Sequence, residues 1–499
     1  MKQCIKCIIK QILTVILIFP CLIVSQIPQT PIEVDPFNKN TSHESLLTYI
    51  DTLAKLSSKI QVETIGTSVQ SRSIPMVHVI QKNSRAKIKV LLFCQQHGNE
   101  PSGKEAALIL LKKIASDNAN YLYPNLDLYI VPSVNPDGNE SGKRNNANGA
   151  DLNRDHLILS QPEVLALHKA FNKIKPEVNL DVHEYAAFRK EFRDAGYFRT
   201  ADEQFGAPTN LNVSDKIIDY SLNKLFPYLE KELKSKGISF SNYYKMNGPA
   251  DTVRASTTSI DDGRQSFAIR NSFSFILEGK NGRNMNDELK RRTNHQLLAI
   301  ETFLSFVNAN CNHIQKLVST EKAKMAATQK PIALQMDYLY DGSKINLPMK
   351  TIHEKDTIVS MHFSPNIKVL ESVGRPLSYV VPASQTNIIE LLDKQGIPYR
   401  KVERQEQMTV EIYSIKNSVG KWMENKPTDY VTYTTRVENV DLKAGDVVVP
   451  MNNEFALMIA IAFEPASMWG LVQYDQFSYL REMGRDYPIY RVPLNKRKK

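Results

Sequence analysis

The chain has 499 residues, 42% hydrophobic and 23% charged, with a formal net charge of +10. Those proportions are ordinary for a globular protein and exclude wholesale disorder or a fibrous design. The length allows two or three domains, large enough to bury cores without disulfide staples. Lys2, Lys6 and Lys10 supply three of the positive charges, leaving +7 once the N-terminal segment is removed. Apart from the terminal Lys496, Arg497, Lys498 and Lys499, the charge is scattered. No basic run is interleaved with aromatics, so no nucleic-acid partner is expected.

The first segment reads as an address label. The apolar run Ile12–Val24 follows the three lysines and is 13 residues long. That is short for a membrane span, which needs about 20 residues. It fits the core of a signal peptide over residues 1–25. The expected product is exported, secreted or periplasmic, with no stable membrane span after signal removal. Cys4, Cys7 and Cys21 leave with the label, and the two that remain, Cys94 and Cys311, do not make a disulfide scaffold.

From Ser42 to Asn310, helix-like and strand-like runs alternate. Glu44–Leu56 reads as a helix, and Gln61–Gly66, Ile74–Ile80 and Ile88–Cys94 as strands. Gly103–Ala115 is amphipathic, with apolar residues at three-to-four spacing. Leu126–Pro132 is a strand, Glu163–Ile174 a helix, Val178–His183 a strand and Asp215–Lys236 a long helix. Ser272–Leu277 and Asp287–Val307 close the series as strand and helix. Such alternation predicts an α/β sheet covered by helices on both faces, and the wholly apolar strands suit its buried centre. A polar stretch within 313–330 reads as a linker or a frayed helix end. Beyond it, Val410–Ile415, Tyr430–Val437, Asp446–Val449 and Leu457–Ala462 look like short strands, with one helix at Thr386–Gln395. The expected division is a signal peptide (1–25), a catalytic domain (26–312), a linker (313–330) and a smaller β-rich α/β domain (331–499).

Four segments carry chemistry, each at or just past a strand. After Val90–Cys94 come His97 and Glu100, three apart, with Pro101 opening a helix. An imidazole and a carboxylate at that spacing can reach one Zn²⁺, and the carboxyl end of a central strand is where open α/β sheets place ligands. After the strand ending at Pro132 comes an Asn- and Gly-rich loop holding Arg144, Asp151, Asn153 and Arg154. Paired guanidinium groups near a metal suit a substrate with a carboxylate and a developing oxyanion. His183 ends a third apolar strand as a possible further ligand, and Glu278 ends a fourth, where a buried carboxylate needs a purpose.

Taken in order, these segments resemble the M14 zinc carboxypeptidases, across roughly residues 42–310. The most specific part is the run from Arg144 through Asn145, Asn146, Ala147, Asn148, Gly149, Ala150, Asp151, Leu152 and Asn153 to Arg154, which is similar to the substrate-binding loop of the regulatory carboxypeptidases. The resemblance implies a mixed sheet with helices on both faces and one Zn²⁺ held by His97, Glu100 and His183. It implies Glu278 as general base, Arg144 as oxyanion stabiliser, and Asn153 and Arg154 on the free C-terminal carboxylate of a peptide substrate. It also implies Asp151 orienting His97 through the second ring nitrogen. Cys94, by strand alternation, points into the core.

The chain departs from the family pattern in three places. The Tyr that usually lies some twenty residues before the catalytic Glu is replaced by Thr258, leaving Tyr243, Tyr244 or Tyr185 as substitutes. Asn99 stands where some members carry an Arg. The interval from Arg154 to His183 is short, 29 residues, so the side loops are trimmed. A peptide carboxypeptidase is the leading expectation. An amidase or peptidase acting on cell-wall peptides or other N-acyl amides is the alternative, and a non-catalytic binding protein of the same fold a lesser one. In the tail, the run Glu464 to Gly470 resembles a segment of C-terminal domains in bacterial members.

Overall fold

The computed structural model describes residues 27–80, 88–116, 122–424 and 426–494. The signal-peptide reading of residues 1–25 therefore lies outside the described residues. Ten strands run through the N-terminal part: β1 (Ile60–Thr67), β2 (Ser73–Val79), β3 (Ile88–Cys94), β4 (Leu126–Val131), β5 (Val178–Tyr185), β6 (Tyr197–Arg199), β7 (Glu203–Gly206), β8 (Phe240–Asn242), β9 (Val253–Arg254) and β10 (Phe273–Lys280). Eight form one sheet in the order β1-β2-β4-β3-β5-β10-β7-β8. The four central strands β4, β3, β5 and β10 are parallel, while β1, β2 and β7 pair antiparallel to their inner neighbours. The sheet is thus mixed, as expected.

The strand sequence explains the layers. Along β3, Val90, Leu92 and Cys94 face one core and Leu91 and Phe93 face another, the period of two of a pleated strand. The first core is covered by helices His43–Leu56, Ser102–Ser116 and Leu289–Ala309, through Leu46, Leu110 and Ile300 among others. The second is covered by helix Pro162–Ile174, through Leu167 and Phe171. Cys94 is wholly buried in the first core, so its placement agrees with the alternation argument. The long helix expected over 215–236 is interrupted: α-helix to Tyr220, a π turn over Ser221–Leu225, then α-helix from Phe226 to Ser235. Pro227 has no N–H to continue the ladder, and a π turn accommodates that loss.

Chain order reverses at β3. The chain leaves β3 to form β4 on one side and later returns to form β5 on the other. The crevice beyond the carboxyl ends of β3 and β5 is therefore the switch point at which such sheets bind ligands.

Residues 311–327 form a helix, Cys311–Ala327, rather than an irregular linker. Ile314 and Val318 bury one side of it in the first core. The tail then forms β11 (Ile332–Leu339), β12 (Lys344–Thr351), β13 (Asp356–Ser364), β14 (Asn366–Val373), β15 (Ser378–Val381), β16 (Arg400–Lys401), β17 (Glu406–Met423), β18 (Lys426–Leu442), β19 (Val447–Pro450) and β20 (Tyr490–Val492). Six of these make a second sheet, β16-β19-β15-β20-β17-β18. Residues 457–462, read as a strand, are instead in the helix Ala456–Phe463. All eight of its residues are buried, and a segment apolar on every side carries no periodicity to separate helix from strand.

The tail is knitted into the N-terminal part. β12 adds to β6, pairing Met349 with Arg199, and β13 adds to β9, pairing Phe363 with Val253. One continuous apolar core joins Leu157, Ile260 and Ile269 to Leu334, Val381, Ile388 and Phe455.

Candidate active site

β3, β5 and β10 end side by side, and their last residues converge. In the register of β5 and β10, Glu278 lies directly beside His183. His97 and Glu100 leave the end of β3 on a tight turn in which the Glu100 N–H donates to the His97 carbonyl. One donor atom from each of His97, Glu100 and His183 lies within 4.8 Å of the others. All three residues are buried.

The hydrogen bonds decide which ring atoms are available. His97 Nε2 is 3.1 Å from Asp151 Oδ1, and His183 Nε2 is 2.8 Å from Asp181 Oδ1. A carboxylate can only accept, so each Nε2 donates to its aspartate, and Nδ1 is the atom that a neutral ring would offer to a metal. Those two Nδ1 atoms face each other at 3.1 Å, with Glu100 carboxylate oxygens 2.8 and 3.0 Å away. With both rings neutral, two lone pairs and a carboxylate point at one place, an arrangement that a cation resolves. Two imidazoles and a carboxylate, each imidazole backed by a second carboxylate, are a donor set suited to Zn²⁺ with one position left open. The residues therefore fit the metal. Glu100 is itself oriented by the Glu184 N–H at 3.1 Å, and the Glu184 side chain is fixed by Arg292 Nε and Nη2 at 2.7 and 2.8 Å.

The cluster opens on a cavity of about 260 Å³ whose wall includes Arg144, Asn153, Arg154, Tyr243 and Glu278. Burial pushes the Glu278 carboxyl up to about 7; His183 and His97 oppose the shift, and Glu100 adds to it. Arg144 is partly exposed at the mouth, donating to Asp151 Oδ2 through Nε and Nη2 (3.2 and 3.0 Å) and to Glu100 Oε1 through Nη1 (3.3 Å). Asn153 is more engaged than its sequence role suggests. Its Oδ1 accepts from the Gly263 N–H at 2.8 Å, and its Nδ2 lies 3.2 Å from His183 Nε2. Arg154 faces the cavity and is tied to the chain by a bond from Nη1 to the Asn153 carbonyl.

The family comparison follows the same residues. The family model for zinc carboxypeptidases matches residues 46–228, the stretch that supplies His97, Glu100, the arginine loop and His183. Over that stretch the chain is similar to the zinc carboxypeptidases. It is 23% identical over 443 residues to carboxypeptidase 2 of Trichophyton tonsurans, covering 85% of this chain and 81% of that one. A shorter match, 37% over 102 residues, links it to carboxypeptidase SOL1 of Arabidopsis thaliana, covering 17% of this chain and 21% of that one. Among solved structures, the metallo-carboxypeptidase of Burkholderia cenocepacia overlays with a TM-score of 0.42 at 18% identity, covering 55% of this chain and 71% of that one.

Within this fold, every sequence-derived site residue lies at the cavity or touches the cluster. Thr258, at the spacing of the family Tyr, does not line the cavity: it is fully buried, its N–H donating to Glu424 Oε1 and its hydroxyl accepting from Trp469 Nε1. Of the three substitute tyrosines, Tyr185 has its hydroxyl committed to the Ala201 carbonyl, and Tyr244 packs its ring on Phe363. Tyr243 lines the cavity with its ring 5.8 Å from the Arg264 guanidinium carbon. The sequence reading missed Asp181, although its position two before His183 on one strand put both on the same face. It also missed Arg199, Lys245 and Arg264, which line the cavity from segments without any motif.

Proposed function

We propose that this protein is an exported zinc-dependent carboxypeptidase that hydrolyses the C-terminal peptide bond of peptides. The observation that carries the reading is the convergence of two imidazole lone pairs and a carboxylate at the switch point, with a fourth side chain, Glu278, beside them at the cavity wall. His97, Glu100 and His183 would hold the metal, which when bound polarises the scissile carbonyl and lowers the pKa of water. Glu278 takes the proton from the attacking water and returns it to the leaving amine. A carboxyl poised near 7 suits both steps. Arg144 stabilises the negative charge that develops on the carbonyl oxygen. Arg154 receives the substrate's terminal carboxylate as a forked pair, with Asn153 beside it. Asp151 and Asp181 hold the two imidazoles in the tautomer that leaves Nδ1 free. Export rests on the N-terminal apolar run after its lysines, residues 1–25 forming the removed signal.

Glu278→Gln tests the assignment. It should retain about one zinc per chain and lose turnover by roughly 10³-fold or more, whereas His97→Ala should lose the metal. Peptides with amidated C-termini should be poor substrates. Equal cleavage of free and amidated peptides would favour the amidase alternative. Wild-type protein holding one zinc and cleaving neither would favour the non-catalytic one.

A further inference from the structure

The cavity wall carries more positive charge than the reaction requires. Three of its four carboxylates are committed: Glu100 to the two histidines, Glu184 to Arg292, and Asp262 to Arg264 at 3.2 Å and the Gln265 N–H at 2.7 Å; the fourth is Glu278, whose charge also acts on Arg199. Arg144 is matched by Asp151 and Glu100. Arg199 and Lys245, however, form no ion pair among the described residues.

Arg199 sits at the end of β6, only 8% exposed. Its guanidinium lies 4.3 Å from the Tyr185 ring centroid and donates through Nη2 to Gln204 Oε1 at 3.1 Å and the Tyr244 carbonyl at 3.4 Å. Those partners fix its orientation without neutralising it. A guanidinium this buried and without a counter-charge is costly unless a ligand supplies one. Lys245 follows immediately after Tyr244 and lines the same cavity as Arg199. Burial, then repulsion from Arg154 and Arg254, brings the Lys245 ammonium down to about 8; Glu424 and Asp261 oppose this more weakly. Arg154 lines the same cavity, and Asp261, Asp151 and Asp262 hold its guanidinium in the charged form against burial. Tyr243 shares the wall, two residues before Lys245 and on the same side of an extended segment.

We infer that the cavity accepts substrates whose C-terminal residue bears a second carboxylate, glutamate or aspartate, with Arg199 and Lys245 receiving the side-chain carboxylate while Arg154 holds the terminal one. This rests on the carboxypeptidase reading and adds to it the chemical class of the released residue. A diacid brings a second negative charge to a wall on which Arg199 and Lys245 form no ion pair among the described residues. A terminal lysine or arginine would meet like charge, and a terminal phenylalanine would leave Arg199 buried and unmatched.

The test uses the zinc-loaded full chain and N-blocked peptides that differ only in the last residue: Glu, Gln, Phe or Lys. The Glu peptide should exceed its Gln isostere in kcat/KM by about 10–100-fold, mostly through KM, with the Lys peptide slowest. Lys245→Met should collapse the Glu-to-Gln ratio towards one, and Lys245→Glu should invert the order of the Glu and Lys peptides. Lys245 is half-buried and Arg199 fully so, so the Lys245 variants are the ones expected to fold; retained zinc content checks that they do. A wild-type enzyme that prefers the Gln, Phe or Lys peptide overturns the inference while leaving the carboxypeptidase reading standing. Zinc-loaded enzyme that releases no terminal residue from any of the four overturns the reading itself. A Glu preference unchanged in both Lys245 variants removes Lys245 from the subsite and overturns the inference in this form.

Discussion

Glu424 connects the tail to the cavity. It lies at the tip of the β17–β18 hairpin, only 5% exposed. Its Oε2 accepts from the Thr257 hydroxyl and its Oε1 from the Thr258 N–H, both at 2.8 Å. Thr257 and its neighbour Ser256 line the cavity. Glu424→Ala leaves the wholly buried Thr258 N–H without an acceptor, which costs about 1–3 kcal/mol, and it also frees the Thr257 hydroxyl at a cost of about 1 kcal/mol. The sum, about 3 kcal/mol, is a large share of a typical folding free energy. Burial raises the Glu424 pKa, opposed by its bonds to Thr258 and Thr257 and by the charge of Arg254. Glu424→Gln keeps the acceptor for Thr258 and should cost under about 1 kcal/mol. The residue has a positive φ of 49°, which Gln and Ala tolerate equally, so backbone strain cancels from the comparison. Thermal melts should show the Ala variant lowered by about 5 °C and the Gln variant by far less. If about 1.4 kcal/mol of the loss is spent re-ordering the wall on each binding event, KM rises about tenfold while zinc content is unchanged. Equal losses in the two variants, or an Ala variant with wild-type melting and KM, would refute the coupling.

The other predictions probe the metal cluster, the buried histidines and the shared core. Asp181→Asn should weaken zinc binding about 10–100-fold, read by competition with a chromophoric chelator, because His183 Nε2 loses the carboxylate that fixes its tautomer. His156 and His168 are buried 3.0 Å apart, and burial holds both below the usual histidine range, His168 at about 3. Below about pH 6.5 the unfolded chain therefore binds protons that the folded chain refuses. Stability should fall as pH drops from 6.5 towards 3, by up to about 1.4 kcal/mol per pH unit for each histidine. Denaturant midpoints at pH 7 and 5 measure the slope, and His168→Gln should flatten it. A chain ending at residue 330 should be insoluble or unfolded, since Leu157, Ile260 and Ile269 would lose the apolar cover given by Leu334, Val381 and Phe455; a soluble, cooperatively melting fragment would contradict that.

The sequence disclosed the parts of the molecule in which local pattern and tertiary role agree. β3 was legible from end to end because an apolar run bounded by polar residues can only be a central strand here. The convergence of His97, Glu100 and His183 was legible because all three sit at or just past the ends of such strands. Asp181 was hidden by the same logic: a carboxylate inside a buried strand has no local signal separating it from a fold error. Helix Ala456–Phe463 was misread because burial on all sides erases periodicity. Spacing along the chain put Thr258 where the family carries Tyr, but it does not report which side of a loop faces a cavity. Glu424 and Trp469, well over a hundred residues away, decide that. The cationic wall was illegible for a related reason. Arg199, Lys245 and Arg264 belong to three separate segments and acquire a common function only when β6 and the strand ends are brought together.

The two halves of the site are held by different parts of the fold, and this separates chemistry from selection. The residues that would hold the metal, with Glu278, stand on β5 and β10 and on the turn just past β3, the most deeply buried strands, where close packing restricts movement. The wall that would read the substrate's last residue comes from β6 and from the segments around Lys245 and Ser256. Each of these is braced by the tail: β6 by β12, β9 by β13, Ser256 by the Tyr338 hydroxyl that accepts from its N–H at 3.0 Å, and Thr257 by Glu424. A change in the tail can therefore shift KM and preference without reaching the imidazoles. A change at Asp151 or Asp181 acts first on the metal. The same division gives the C-terminal part a physical role beyond stability, since it sets the shape of the surface against which the released residue is chosen.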